Sequence, residues 1–204
     1  MTDFTQPCEA PGKLLVAIVD ETYGHSEDEE WPVAREVFRL RLEDEYGVSF
    51  EDADIGNSAS FPAFATLIDM PAAVYTLLIA SLFAGKKLHE SLEGYGKIAG
   101  SIRRFFKRPL YLGRDGAAAL AIEEMLKDKG GTTASIRLLS YRLQHAAEPD
   151  DLSAIERSQE IFDAPATLEL GFGRHIFEFE VDDRLYRVSV DGRKVKLLHL
   201  DPDE

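Results

Sequence analysis

Three aspartates at the ends of two predicted strands come nearest to a chemical constellation. Asp20 follows the apolar run LLVAIV, residues 14–19, and Asp52 and Asp54 stand one residue apart in a second short run. A hard divalent cation takes oxygen ligands, and carboxylates at the carboxyl ends of neighbouring strands are where α/β proteins gather them. Asp20, Asp52 and Asp54 therefore form a candidate ligand set for Mg²⁺ or Mn²⁺. Arg114 lies in the turn GRDG between a predicted strand and a predicted helix. Backbone N–H groups at such a turn favour negative charge, which makes Arg114 a candidate anion contact. Together these residues suggest a metal-dependent enzyme on a phosphate-containing substrate. The plainer reading, in which an acidic chain ends its strands in acids that do not converge, carries more weight.

Other polar residues carry less. His25, beside Ser26 and Glu27, has the chemistry of a general base, but a lone loop histidine is more often solvated. His89-Glu90 has no second histidine four residues on, as a zinc-protease helix needs. His175 and His199 read as surface or edge residues of late strands. The chain has no G-x-x-x-x-G-K-[ST], no G-x-G-x-x-G opening a helix and no G-x-S-x-G elbow. One cysteine, Cys8, excludes an internal disulfide and a thiolate cluster. With no secretory pattern visible, a cytoplasmic, bacterial-type setting is expected.

The elements that must position these residues are legible in part. Residues 1–12 read as a tail and 14–19 as a buried strand. Trp31-Pro32 opens a helix to about Tyr46, with Val33, Val37, Leu40 and Tyr46 near one stripe and Gly47 ending it. Residues 48–53 suggest a second strand, and IGNSASFPAF a turn-rich connection. A helical pattern then covers 71–106, broken near Gly85 or Gly94–Gly96. Residues 110–112 read as a strand. Asp115 is the expected N-cap of a helix to Lys129, and residues 132–144 begin as a strand. Residues 146–165 are acidic, with a short helical stretch around 153–162. ATLELG, RHIFEFEV, RLYRVSV and RKVKLLHL close the chain as a meander, separated by FG, DD and DG. The expected fold class is α/β or α+β, a mixed sheet with three or more helices closing in an antiparallel meander. Residues 13–148 would form the α/β region, and 149–204 a connector and meander within the same domain.

Residues 71–108 stand apart from the rest of this acidic chain. The net charge over 204 residues is -14. Residues 1–69 hold 16 acids and 4 bases and residues 116–204 hold 18 and 11, whereas residues 70–115 hold 3 and 8. The basic block coincides with the apolar run 71–85, the spacing Gly96-x-x-x-Gly100 and the end RRFFKR, residues 103–108. The apolar run has 15 residues, short of the roughly 20 that cross a bilayer. A buried core helix is the leading reading, followed by a partner or oligomer interface, then membrane contact. Gly96, Gly100, Arg103, Arg104, Phe105 and Phe106 are the interface candidates. The acidic bulk argues against nucleic acid. The preferred expectation is a non-enzymatic binding or regulatory protein that meets a protein partner or its own copy through 71–108 and needs no cofactor.

Overall fold

The computed structural model describes residues 12–24, 29–55, 62–70, 72, 76, 92–130, 135–145, 151–155 and 173–200. Cys8, His25, Lys86-Lys87, His89, the run ATLELG and nearly all of the apolar run 71–85 lie outside these residues.

Eight strands and three helices are described. Their order is β1 (Lys13–Val19), α1 (Trp31–Tyr46), β2 (Glu51–Asp54), β3 (Pro62–Asp69), α2 (Leu92–Arg103), β4 (Leu110–Leu112), α3 (Arg114–Asp128), β5 (Ile136–His145), β6 (Gly173–Val181), β7 (Arg184–Asp191) and β8 (Lys194–Leu200). The strands form two antiparallel sheets, β2-β3-β1-β4 and β5-β6-β7-β8. The fold is therefore α+β with the expected C-terminal meander, the strands dividing between two sheets rather than joining one.

The apolar run of β1 is continuous because both its faces are covered. Leu14, Val16 and Ile18 belong to the main core, while Leu15 and Ala17 join Ala53, Ile55, Ala63 and Ala65 on the other side. β3, the neighbour of β1, was not anticipated. Pro62 stands at its first residue, where a missing N–H is tolerated, and so looked like loop punctuation.

Helix α1 runs as predicted and ends at Gly47 in the left-handed region, but of its expected inner stripe only Tyr46 packs on the core and the other three residues face outward. Phe38 and Leu42 are buried, whereas Val33, Val37 and Leu40 are 69%, 43% and 51% exposed. The inner stripe is Trp31, Arg35, Phe38 and Leu42. Arg35, counted as polar, concealed it.

α3 sits in the middle. Residues Asp115–Glu123, Met125 and Leu126 are all buried, and the alanines at 117, 118, 119 and 121 let neighbouring backbones approach closely. The core cluster around it joins side chains of β1, α1, β3, α2, β4 and β5–β7. Turn Asp182-Asp183 has φ of 48° and 65°, the conformation of a tight hairpin turn. A Cβ at Gly192, in the next turn, would lie 2.5 Å from the carbonyl oxygen of Leu110. The glycine thus permits the second sheet to touch β4.

The second face of the meander is less exposed than its alternation implies. Arg187, on β7, donates from Nε and Nη2 to Glu178 Oε1 at 2.8 and 2.6 Å, and from Nη1 to the Leu152 carbonyl at 2.6 Å. Ser140 Oγ donates to Glu178 Oε2 at 3.0 Å. This buried pair fastens the turn 151–155, where Leu152 and Ile155 pack on Ile176. Removing one partner of a buried ion pair strands the other charge. Arg187→Ala should cost about 3–5 kcal/mol in denaturant unfolding, and Arg187→Met with Glu178→Leu clearly less. Equal losses in the two variants would refute the account.

Candidate functional site

The carboxyl ends of β1 and β2 do lie at one end of the first sheet. Asp54 is level with Pro62 in the register, and the Asp20 N–H donates to the Pro62 carbonyl at 3.0 Å. β3 lies between the two strands, so their backbones are about 10 Å apart. A cation of the protein itself occupies this end. Asp20 is buried, and its carboxylate accepts the Thr22 N–H at 2.9 Å, the Thr22 hydroxyl at 2.6 Å and the Trp31 indole N–H at 3.2 Å. Arg35 Nε lies 3.4 Å from Asp20 Oδ2 and Arg35 Nη2 3.2 Å from Asp52 Oδ1. The Arg35 guanidinium also rests on the rings of Trp31 and Phe64, at 5.3 and 5.0 Å, which favours a delocalised cation over a hydrated one.

Two of the three expected metal ligands are thus arranged around Arg35, and Asp54 stands at the end of β2. Among the described residues, no group of three or more His, Cys, Asp or Glu side chains could hold a metal ion. Sequence reading missed Arg35. Its signal was the spacing Trp31–Arg35–Phe38–Leu42, one helix face with a cation level with the strand ends.

Arg114 opens α3, but the anion beside it is internal. Its Nη2 lies 3.3 Å from Asp115 Oδ1. Asp115 is not the N-cap. That position falls to Gly113, and Asp115 sits buried in the first turn, where burial raises its carboxyl above the ordinary value despite Arg114.

His175, expected at the surface, is buried against the same corner. Its Nε2 lies 2.9 Å from the Leu112 carbonyl and its Nδ1 3.0 Å from the Tyr141 hydroxyl. A neutral ring with its proton on Nε2 satisfies both contacts, donating to the carbonyl and accepting from the hydroxyl. Burial, with the Arg114 charge added, pushes the imidazole down to about 4, although the bond to Leu112 works the other way. The local strand pattern could not show this, because the covering elements come from β4 and β5. His199, on the edge strand β8, is half exposed and 3.3 Å from Asp128, as an edge residue should be.

The His175 ring should shape acid stability. Unfolded, it titrates near 6.5; folded, near 4. Between these values the unfolded chain holds the extra proton, so stability is lost as pH falls from about 6.5 towards 4, by up to about 3 kcal/mol. Asp115 acts oppositely, since a raised carboxyl favours the folded state at lower pH. Denaturant unfolding of His175→Gln should therefore give a flatter acid limb than wild type. Parallel limbs would sink the assignment.

The interface candidates divide. Phe105 is fully buried and Phe106 packs partly on the core. Arg103 Nη1 donates to Glu123 Oε1 at 2.8 Å, tying α2 to α3. Arg104 is exposed, its guanidinium 4.6 Å from the Phe105 ring. Arg108 reaches back to Glu21 and Glu45, both at 2.9 Å. Gly100 is exposed and Gly96 half-buried, and a Cβ built at either meets nothing within 4 Å among the described residues. Ile98, Ala99 and Ile102 occupy the buried face of α2. Among the described residues of the segment, α2 is thus core on the side of Ile98, Ala99 and Ile102 and exposed at Lys97 and Gly100 on the other. No described helix is long and apolar enough to cross a membrane.

A cavity of about 210 Å³ lies where β4 meets the β7–β8 turn, lined by Pro109, Leu110, Tyr111, Asp191, Gly192, Arg193 and Lys194. Burial, and then the charge of Asp191, push the Tyr111 hydroxyl up to about 12, so it stays protonated at neutral pH. Arg193 Nη1 donates to the Phe106 carbonyl at 3.1 Å. The volume is below the roughly 300 Å³ at which small-molecule sites begin.

Comparison of the chain with protein-family models, curated proteins and solved structures finds no match in any of the three.

Proposed function

We propose that this chain is a non-enzymatic binding protein of the cytoplasm, acting through protein contacts of its basic segment, residues 71–108. The observation that carries the reading is the outer face of α2. Gly96, Lys97, Gly100 and Arg104 look outward from a helix whose other side is held by Ile98, Ala99 and Ile102. Lys107 adds an exposed charge just beyond. In a chain of net charge -14, such a face suits an acidic protein surface, and paired glycines let a partner backbone come close.

Gly96→Leu with Gly100→Leu tests this directly. No described residue crowds either position, and replacing helical glycine by leucine favours the helix by several tenths of a kcal/mol per site. The melting temperature should hold or rise while oligomer formation or partner capture falls at least tenfold. Undiminished association would remove the reading.

The alternative is a divalent-metal enzyme on a phosphate-containing substrate, using Asp20, Asp52, Asp54 and Arg114. It must displace Arg35 from the first two carboxylates and Asp115 from the arginine. Mg²⁺ or Mn²⁺ should accordingly leave the melting temperature unchanged, because only a ligand that prefers the native state raises it. A rise that Asp54→Ala abolishes would restore the enzyme reading.

A further inference from the structure

The outward side of α1 carries an apolar ridge. Val33, Val37 and Leu40 recur at the spacing that places side chains on one helical face, and all three are exposed. The buried faces of α1 and α2 both enter the main core, through Phe38 and Leu42 and through Ile98, Ala99 and Ile102. Their outer faces therefore look away from that core.

Charge and shape relate these two faces. Among the described side chains, the unpaired exposed charges near the ridge are mostly acidic, Glu29, Glu30 and Asp44 against Arg41, with Glu36 paired to Arg39, while those on and beside the outer face of α2 are basic, Lys97, Arg104 and Lys107. The same pairing already operates inside the molecule, where Arg108 from the basic turn holds Glu45 of α1. The ridge projects branched side chains, and among the described residues nothing lies within 4 Å of a Cβ built at Gly96 or Gly100 on the α2 face, as ridge-into-groove packing requires. With 16 and 12 residues, the helices span about 24 and 18 Å, comparable lengths.

We propose that the Val33, Val37 and Leu40 ridge of α1 docks on the basic outer face of α2 in a second copy of this chain. The proposal rests on the reading of α2 as a binding face and names its partner. The contact joins two different surfaces, so a pair leaves one ridge and one α2 face free and association runs head to tail. One helix pair buries less than a standard interface, which makes the assembly weak and dependent on concentration. Opposed rim charges make it sensitive to salt.

Sedimentation velocity across a concentration series decides the matter. Wild type should grow in mass with concentration, and less so at high salt. Val37→Glu with Leu40→Glu should remain monomeric, as should Lys97→Glu with Arg104→Glu. All four sites are exposed, and unchanged far-UV circular dichroism would show both variants folded. Mixed one to one, the two variants should form a dimer and stop there, since one intact ridge then meets one intact α2 face. A mixture that stays monomeric overturns the proposal, as does either variant assembling like wild type. A monomeric wild type also overturns self-docking. Loss of capture of another protein in the Gly96→Leu, Gly100→Leu variant would still support the binding reading, so the two fail separately.

Discussion

Helix α3 must be covered almost all the way round, and much of the fold follows from that constraint. Its alanines offer little area individually but allow close approach, and the neighbouring Leu120, Ile122, Met125 and Leu126 fill the spaces that result. Covering a helix on several sides takes more than one layer. The first sheet contributes β1 and β4, the meander contributes the inner residues of β6 and β7, and α2 closes a further side through Ile98, Ala99 and Ile102. Residues at opposite ends of the chain thereby share one core, and unfolding of either sheet would leave the same helix uncovered.

That arrangement also explains where polar groups are buried. The start of α3 carries Arg114 and Asp115 into the corner between β4 and the meander, and His175 satisfies the Leu112 carbonyl at the same place. On the far side of the meander Arg187 and Glu178 do the equivalent work for the carbonyl of Leu152. At the strand ends Arg35 stands between Asp20 and Asp52. In each case a charge is taken from water only with its partners supplied. These are the groups a search for catalytic residues would gather first, and each has partners within the fold. Among the described residues, the outer side of α1 exposes Val33, Val37 and Leu40, and the outer side of α2 exposes Lys97 and Gly100.

Legibility in the sequence followed the range of the interaction. β1, the extent and C-cap of α1, β4, most of α3 and the last three meander strands depend on local periodicity and turn chemistry, and all could be read. β3 could not, because Pro62 at a strand start resembles a break. The described meander begins at β5, residues 136–145, which pairs with β6 although it lies well upstream in the chain, and the run ATLELG falls outside the described residues. In α1 the wrong face was taken as core. Val33, Val37 and Leu40 form a fair stripe, but Phe38 and Leu42 bury larger side chains, and Arg35 aligns with them through its partners rather than its hydropathy.

The candidate site separates in the same way. By itself the sequence determined a mixture of helices and strands, the C-terminal meander, the acidic bulk and its basic interruption at 70–115, because composition, charge and short-range pattern are properties of the chain. Only the tertiary structure decided that Asp20 and Asp52 flank a guanidinium, that Asp115 and His175 are buried, that Phe105 is core while Gly100 is open, and that α1 turns its valines outward. Those outcomes depend on which element arrives opposite each side chain. A residue's desolvation, its partners and hence its ionisation are set by groups distant in sequence, and no local pattern encodes them.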